Sequence, residues 1–253
     1  MTVPPAPVRI LAIETSTRHC SVALAHPHTV VQRSQAAGDR VAERALSMIA
    51  ELLADESLGL EQIDAFAFGS GPGAFTGLRV ACGLIQGLAF ARDRPVVPVG
   101  SLRALAFSAA QRALVSAEAA GARSGGTASR VMAAIDARMG QIYWAVYEGA
   151  GAARELAAAA LTSPGEVAEL VARWQPDVIA GDALSAFASA WPTQPGVARW
   201  PQLGAEASAV AELARVDLAE GRAVRARDAA PGYVRDQVAL TVAQRAGHGE
   251  RSL

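Results

Sequence analysis

The same order of predicted elements occurs twice along the chain. In each half, three short apolar segments bounded by turn residues predict strands, and a helix, a strand and a second helix follow. This order predicts an α/β fold made by duplication, with a mixed sheet and helices in each half. The predicted strands cover 8–14, 20–25, 29–34, 63–68 and 96–99, then 131–136, 141–148, a stretch near 154 and 177–180. The predicted helices cover 41–53, 78–92 and a segment from 101 onward, then 164–174 and 205–220.

The boundary between the halves is expected between 115 and 129, where residues 121–129 read GARSGGTAS. Glycine and serine in this density predict a flexible linker. We therefore assign 1–115 to an N-terminal lobe and 116–253 to a C-terminal lobe. The last segment, near 229–240, is expected to return to the first lobe.

Composition argues against several kinds of function. All 23 basic residues are arginine, so the chain has no lysine for a Schiff base or a Walker-type phosphate loop. The net charge of −1 gives no overall field that would hold nucleic acid. Cys20 and Cys82 lack metal-site spacing and are predicted to be buried thiols, and the histidines form no HExxH or HxxxH pair, so no metal site is expected. No stretch reaches the ~20 apolar residues of a membrane span, so a cytoplasmic protein is expected.

The most informative segment is the glycine-rich loop GSGPGAFTGLR, residues 69–79, which lies between a predicted buried strand and a helix. Backbone N–H groups at such a helix start suit an anion, and glycine lets a ligand approach closely. Arg79 stands in the first helical turn, where the dipole disfavours a cation, so an anionic partner is expected. A tight turn without a ligand is the alternative. The candidate phosphate, nucleotide or anion-binding residues are Gly71, Gly73, Thr76, Gly77 and Arg79.

The helix after this loop carries small residues at a spacing of four, at Gly83, Gly87 and Ala91. Each interior glycine costs up to ~1 kcal/mol relative to alanine, which indicates that another backbone packs closely there. Both this helix and helix 41–53 look too apolar for burial on one side, so we predict a helical partner interface. Packing of the two helices against each other inside the chain is the alternative. The predicted interface residues are Ala45, Met48, Ile49, Leu52, Val80, Gly83, Leu84, Gly87 and Ala91.

Two carboxylates, Glu14 and Asp136, end the first strand of their respective halves. Ligands of α/β sheets gather at the carboxyl ends of strands, so these acids could face a site between the lobes, and Asp182 is placed similarly. In an enzyme they would hold a metal ion or a water molecule. The alternative is that each acid caps the turn that follows it.

Four segments together resemble the TsaB (YeaZ) family, and they appear in family order across nearly the whole chain. They are ILAIETST at 10–17, the glycine-rich loop, IDARMGQIYWAVY at 135–147 and PGYVR at 231–235. The resemblance implies the duplicated two-lobe actin-like ATPase fold, which is ribonuclease H-like. It also implies a non-catalytic subunit with no catalytic residues of its own, which helps to form N6-threonylcarbamoyladenosine at position 37 of tRNA.

The partners that the resemblance implies are TsaD, a catalytic paralogue bound as a heterodimer, and TsaE, an ATPase that joins the pair. It further implies contact with tRNA only through the complex, self-association through a similar surface, and no firmly bound cofactor, with ATP or ADP in the complex. The chain departs from the family in having Glu14 where aspartate is more common. It also has Val41-Ala42, near the start of helix 41–53, where a histidine–serine pair is common.

Two other functions stay open. A stand-alone ATP-dependent phosphotransferase of the same superfamily would use Glu14, Asp136, Asp182 and the glycine-rich loop between the lobes. A direct tRNA binder would use a basic patch at 215, 222, 225 and 227. Asp217, Glu220 and Asp228 are interleaved with those arginines, which favours a solvated face.

Overall fold

The computed structural model describes residues 8–26, 29–119, 129–149, 151 and 153–234. Within them the strands are β1 Ile10–Glu14, β2 His19–Ala25, β3 Val30–Ala36, β4 Ala65–Gly71, β5 Val96–Gly100, β6 Arg130–Asp136, β7 Ile142–Glu148, β8 Arg154–Thr162, β9 Val178–Ala180 and β10 Ala198–Trp200. The α-helices are α1 Val41–Asp55, α2 Phe75–Arg92, α3 Ser101–Ala119, α4 Val167–Trp174, α5 Ala183–Ala186 and α6 Ala207–Ala219. Single 3₁₀ turns cover 60–62, 164–166, 188–190 and 226–228.

The strands form two five-stranded sheets with the same topology. The first has the order β3-β2-β1-β4-β5 and the second β8-β7-β6-β9-β10. In each sheet the first three strands in sequence are antiparallel, and the last two run parallel to the first strand, as β4 does beside β1 and β9 beside β6. The predicted duplicated two-lobe α/β fold, with a mixed sheet in each half, is therefore confirmed.

Strand β1 is apolar from Ile10 to Ile13 and buried along its whole length, because helices cover both faces of its sheet. All five of its residues are buried, as expected for a strand in the middle of a covered sheet. Helices α1 and α2 pack on one face of the first sheet, and α4 and α5 pack on the outer face of the second. The carboxyl ends of β1 and β4 consequently meet at one edge, where the chain turns into α2.

The inner layer consists of α3 and α6, and each of these helices covers the sheet of the other half. Helix α6 packs on the first sheet, where Ser21 and Gln32 accept hydrogen bonds from the backbone N–H groups of Ala207 (3.0 Å) and Ser208 (2.7 Å). Helix α3 packs on β6, β7 and β9 of the second sheet. Alanine dominates this shared core, which lets the two helices and two sheets approach closely.

The division into residues 1–115 and 116–253 stays a prediction. With that division, each sheet and one of the helices that cover it come from different parts of the sequence. An ion pair between Arg103 of α3 and Asp217 of α6, at 2.8 Å, joins the two exchanged helices. Most of the predicted linker, 121–128, lies outside the described residues.

Element boundaries differ from the predictions mainly around the glycine-rich loop. Helix α2 begins at Phe75, earlier than predicted, because Gly77 belongs to its first turn. The segment 164–174 opens with a 3₁₀ turn, in which Glu166 accepts a hydrogen bond from the backbone of Ser163 (2.9 Å), and only then becomes α4. Among the described helices, none has the length and apolar character needed to cross a bilayer.

Candidate functional site

The glycine-rich loop lies directly against the turn that follows β1. Because β1 and β4 are parallel neighbours, their carboxyl ends place Thr15 and Ser16 beside the loop. The hydroxyl of Thr15 donates a hydrogen bond to the carbonyl of Gly77 (2.7 Å), and the N–H of Ala74 donates one to the carbonyl of Ser16 (2.7 Å). These two bonds fix the start of α2 on the end of β1.

Three glycines of the loop are required by contacts within the chain. A Cβ atom on Gly77 would lie 1.9 Å from the carbonyl oxygen of Thr15, and one on Gly73 would lie 2.5 Å from Ser16. Gly71 has φ +108°, which favours glycine, and its Cβ would lie 2.8 Å from the carbonyl of Gly232. Packing therefore accounts for Gly71, Gly73 and Gly77 without a bound anion.

Glu14 is fully buried beneath the loop and does not line the cleft between the lobes. Its Oε1 accepts a hydrogen bond from the N–H of Ser16 (2.5 Å), and its Oε2 accepts one from the hydroxyl of Ser101 (2.9 Å). A Cβ on Gly69 would lie 1.8 Å from that Oε2, so the carboxylate fills the space that glycine leaves. Burial raises the pKa of Glu14, and the hydrogen bonds from Ser16 and Ser101 oppose the rise. Glu14 thus ties the turn after β1 to the start of α3.

Asp136 caps the turn after its strand and also faces the cleft. Its carboxylate accepts a hydrogen bond from the N–H of Arg138 (2.8 Å) and forms an ion pair with that arginine's guanidinium (3.0 Å). The N–H of Asp136 in turn donates to the carboxylate of Asp182 (2.9 Å). The structure brings Asp136 and Asp182 together at the cleft, whereas Glu14, which was expected to face the same site, is buried apart from them.

The cleft between the lobes has a volume of about 470 Å³. It is bounded by the turn after β1, the glycine-rich loop, the β6–β7 turn and the segment 232–234. Its charged groups are Arg18, Arg138, Asp136 and Asp182, and it also contains the buried hydroxyl of Ser16. Within the described residues, no group of three or more histidine, cysteine, aspartate or glutamate side chains is arranged to hold a metal ion.

Arg79 has aromatic and phenolic neighbours in place of the expected anion. Its guanidinium lies 3.8 Å from the centroid of the Phe75 ring, and its Nε donates to the hydroxyl of Tyr233 at 3.2 Å. The rings of Phe75 and Tyr233 are 5.7 Å apart. These contacts account for the presence of Arg79 at the start of α2. Thr76, another of the candidate anion-binding residues, is exposed.

The segment that contains Tyr233 lies against the first lobe. The carbonyl of Ala229 accepts a hydrogen bond from the side chain of Gln86 (2.9 Å), and the N–H of Gly232 donates to the carbonyl of Ser70 (2.7 Å). Residues 229–234 therefore run along α2 to the glycine-rich loop. Residues 235–240 of the segment expected to return to this lobe lie outside the described residues.

The predicted partner interface divides into a buried part and an accessible part. The four positions on α1 are only 0–4% exposed and pack in the core, so we correct their assignment to a partner surface; they are Ala45, Met48, Ile49 and Leu52. The apolar face of α1 is covered by the first sheet and by α2. The positions on α2 are accessible: Gly83, Gly87 and Ala91 are exposed, and Val80 and Leu84 are partly exposed. The sequence reasoning missed Leu46 of α1, which is 45% exposed, and did not single out Phe90, which is 77% exposed.

Residues 33–241 match a family model described as TsaD, tRNA N6-adenosine threonylcarbamoyltransferase. The chain is 33% identical over 247 residues to an Escherichia coli protein named tRNA threonylcarbamoyladenosine biosynthesis protein TsaB, covering 92% of this chain and 96% of that one. A Haemophilus influenzae protein of the same name is 45% identical over 135 residues, so the match spans 53% of this chain and 52% of that relative.

Solved structures agree with these sequence matches. A Pseudomonas aeruginosa crystal structure, described as an uncharacterized protein with similarity to peptidase YEAZ, has a TM-score of 0.77 and 37% identity. The match covers 90% of this chain and all of that one. A second structure, YeaZ from Pseudomonas aeruginosa, has a TM-score of 0.76 at the same identity over 89% of this chain and 99% of that one.

Proposed function

The chain belongs to the TsaB (YeaZ) family, and from this premise we propose that it serves tRNA threonylcarbamoyladenosine biosynthesis as a non-catalytic scaffolding subunit. The names of its Escherichia coli and Haemophilus influenzae relatives support the biosynthetic role. The partner we propose is TsaD, bound as a heterodimer, with the ATPase TsaE joining through it. The chain would work in the cytoplasm, hold no cofactor firmly itself, and meet ATP or ADP only in the complex.

The open glycine stripe on α2 is the observation that carries the scaffolding role. A Cβ atom on Gly83 or Gly87 would meet nothing within 4 Å, and both residues are exposed. Glycine in a helix interior costs up to ~1 kcal/mol relative to alanine, and no contact within the described chain requires it here. A partner helix whose backbone lies close to α2 gives a physical reason for glycine at both positions.

The surroundings of the stripe also suit a protein partner. Ala91 continues the smooth surface, and the partly exposed Val80 and Leu84 flank it with apolar side chains. On the neighbouring helix α1, Leu46 is 45% exposed. Interfaces between permanent subunits are built from apolar, closely packed surfaces of this kind. A second copy of the chain could cover the same surface, as self-association would require.

The internal contacts of the glycine-rich loop favour a scaffold over an enzyme. Glu14, which the phosphotransferase alternative would need beside a substrate, lies beneath the loop and is held by Ser16 and Ser101. At Gly73 and Gly77 the turn after β1 occupies the position of a side chain, so packing within the chain explains these glycines without a bound phosphate. Asp136 and Asp182 at the cleft are the residues that still support the phosphotransferase.

Gly87→Leu tests the scaffolding role. The added side chain projects into open space in the isolated chain, so we expect the unfolding free energy to be retained or slightly raised. In the complex it would meet the partner helix, and we expect association with TsaD to weaken by about 30-fold or more, the effect of ~2 kcal/mol at an interface centre. Calorimetry and mass in solution measure association, and denaturant unfolding measures stability.

Ala172→Leu on α4 is the matched control, because it adds a similar bulk to an exposed helix position away from α2. This variant should bind TsaD like the native chain. Equal binding by Gly87→Leu and the native chain would remove the α2 surface from the interface. Unfolding of Gly87→Leu would show that the stripe packs within the chain.

The phosphotransferase alternative predicts a different result. Such an enzyme should be stabilised by Mg–ATP, by ~2.7 kcal/mol at a concentration of 100 times its Kd, and should consume ATP without TsaD. ATP turnover by the isolated chain, lost in Asp136→Asn, would overturn the scaffolding role. An unchanged unfolding temperature, together with threonylcarbamoyl transfer only when TsaD is added, would support it.

A further inference from the structure

A second distinctive surface lies at the C-terminal end of α2, where two distant parts of the chain meet. Val96 and Val224 form an isolated antiparallel bridge with hydrogen bonds of 2.8 and 2.9 Å. The bridge brings the segment that contains Arg94 beside the segment that contains Arg225 and Arg227. These three arginines line a surface depression of about 580 Å³. We call this set of residues, together with Phe90 of the same depression, the arginine surface.

The basic patch that the sequence predicted, at 215, 222, 225 and 227, divides into arginines that have close acidic partners and arginines that belong to the arginine surface. Arg215 pairs with Glu212, and Arg222 pairs with Asp217 and Glu220, so these two arginines are neutralised by neighbouring acids. Among the residues that the structure describes, Arg227 has one long ion-pair contact, with Asp228 at 3.7 Å, and both groups are exposed. In the described part of the chain, Arg94 and Arg225 form no ion pair, although Asp93 lies at the same depression.

Helix electrostatics explain only part of this cluster. A cation near the C-terminus of a helix is stabilised by the dipole, which accounts for Arg92 and helps to account for Arg94. Arg225 and Arg227 come from a separate segment, whose 3₁₀ turn at 226–228 packs against α2. The three arginines of the arginine surface outnumber the two neighbouring aspartates, Asp93 and Asp228, on a chain whose overall charge is −1. The local excess of positive charge therefore points to an anionic ligand.

The exposed ring of Phe90 indicates which class of anionic ligand the arginine surface would bind. Its side chain is 77% exposed and lies at the same depression as the arginines. An arginine fork binds phosphate oxygens in pairs, and an exposed aromatic ring stacks on an unpaired base. An acidic protein surface would match the arginines but would not account for the ring as well as an unpaired base does.

We propose that the arginine surface binds RNA directly, with Arg94, Arg225 and Arg227 on backbone phosphates and Phe90 against an unpaired base. The inference rests on the proposed function in one respect, because a role in tRNA modification identifies tRNA as the RNA that this surface would bind. It revises the expectation that tRNA contacts this chain only through other subunits. The chain would then provide an additional binding site for tRNA beside the partner surface of α2.

Salt-dependent binding of the full chain to a labelled, unmodified tRNA transcript tests this inference. The double variant Arg225→Gln/Arg227→Gln should reduce the slope of log affinity against log salt by about 2, roughly one for each phosphate contact, between about 50 and 200 mM salt. At the lower salt the affinity should fall by about tenfold or more. The control is Arg40→Gln/Arg173→Gln, which removes the same charge from exposed positions on α1's N-terminus and α4. It should bind within about twofold of the native chain.

Phe90→Ala separates the stacking contact from the charges. We expect it to weaken binding of the tRNA by about fivefold, through loss of one stacked base, while binding of a fully paired RNA duplex stays unchanged. Loss of TsaD association in this variant, with RNA binding retained, would assign Phe90 to the protein interface. Absence of measurable binding by the native chain, or equal losses in both arginine pairs, would overturn the inference.

Measuring TsaD association on the same variants keeps this inference distinguishable from the proposed function. Arg225→Gln/Arg227→Gln should bind TsaD normally and raise the KM for tRNA without lowering transfer at saturating tRNA. If the native chain binds tRNA through these arginines yet never binds TsaD, the scaffolding role fails and the RNA surface stands. If TsaD binds and KM is unchanged, the RNA surface fails alone.

Discussion

The glycines of the loop and those of the helix that follows belong to one stretch of chain, yet they have opposite surroundings. At Gly77 an added Cβ would collide with the carbonyl of Thr15 at 1.9 Å, whereas at Gly83 and Gly87 it would enter open space. The first kind of glycine is required by the fold, because a neighbouring backbone occupies the position of a side chain. Glycines of the second kind weaken the helix, and no contact within the described chain requires glycine at these positions.

With the partner surface that we propose on α2, this difference assigns the loop glycines to folding and the helix glycines to recognition. The loop glycines let the end of β1, the end of β4 and the start of α2 and α3 converge around Glu14. The helix glycines keep smooth a surface that the described residues leave uncovered. Substitutions can therefore test each role, because the two sets should respond in opposite directions.

Gly77→Ala should give the largest effect. Its methyl group would need the backbone of Thr15 to move, and that backbone is held between β1 and α2. We expect a loss of about 3 kcal/mol in the free energy of unfolding, which outweighs the helix propensity gained. Urea denaturation measures it, with Gly83→Ala as the control on the same helix. A loss below that of an ordinary surface substitution would mean that the turn after β1 adjusts freely.

Glu14→Gln should have an intermediate effect that depends on pH. Because burial raises the pKa of folded Glu14, the unfolded chain loses this proton first, and the stability that the group contributes declines as pH rises above 4.5 through the folded pKa. Glutamine is neutral but has one side-chain oxygen in place of two, so it can accept only one of the hydrogen bonds from Ser16 and Ser101, and we expect it to cost about 1 kcal/mol near pH 5. The deficit should shrink as pH rises.

Unfolding free energies between about pH 4.5 and 8 measure this trend, in the range where small domains are usually most stable. Glu43→Gln, at an exposed glutamate of α1, is the matched control and should run parallel to the native curve. A deficit that grows with pH would mean that folded Glu14 is held as a carboxylate by its hydrogen bonds from Ser16 and Ser101.

Gly83→Ala and Gly87→Ala should have the smallest effect on folding, and with the opposite sign. Each replaces an exposed helical glycine with space for a methyl group, so each should stabilise the isolated chain by up to ~1 kcal/mol. The same methyl groups should weaken binding to TsaD if a helix packs on the stripe. Thermal unfolding and calorimetry measure the two effects. Destabilisation of the isolated chain would mean that the helix glycines, like the loop glycines, are required by packing within the chain.

Most of the fold followed from hydrophobic patterning. Long apolar strands such as β1 and β6 and the carboxylates that end them were found because burial on two faces leaves a continuous apolar run. Strand β10 and helix α5 were not assigned, since three or four residues are too few to show a period. The exchange of α3 and α6 was also missed, because an apolar helix face does not reveal which sheet it covers.

The candidate site was predicted less well, for a related reason. The apolar positions of α1 that were assigned to a partner are in the core, since a pattern shows that a face is apolar but not what covers it. Glycine is equally ambiguous, because one letter stands for the crowded Gly77 and the open Gly87. Arg94 and Arg225 were separated in sequence by a whole lobe, so only the bridge between Val96 and Val224 brings them together.

The exchanged inner helices also govern the order in which the protein can become stable during synthesis. The first sheet is complete when residue 100 has been made, but α6, which covers its inner face, ends at Ala219. Until that helix leaves the ribosome, the apolar inner face of the sheet has no permanent cover and depends on chaperones or transient collapse. A nascent chain halted in the second half would thus carry a finished sheet that is prone to aggregate, and either half produced alone should be insoluble.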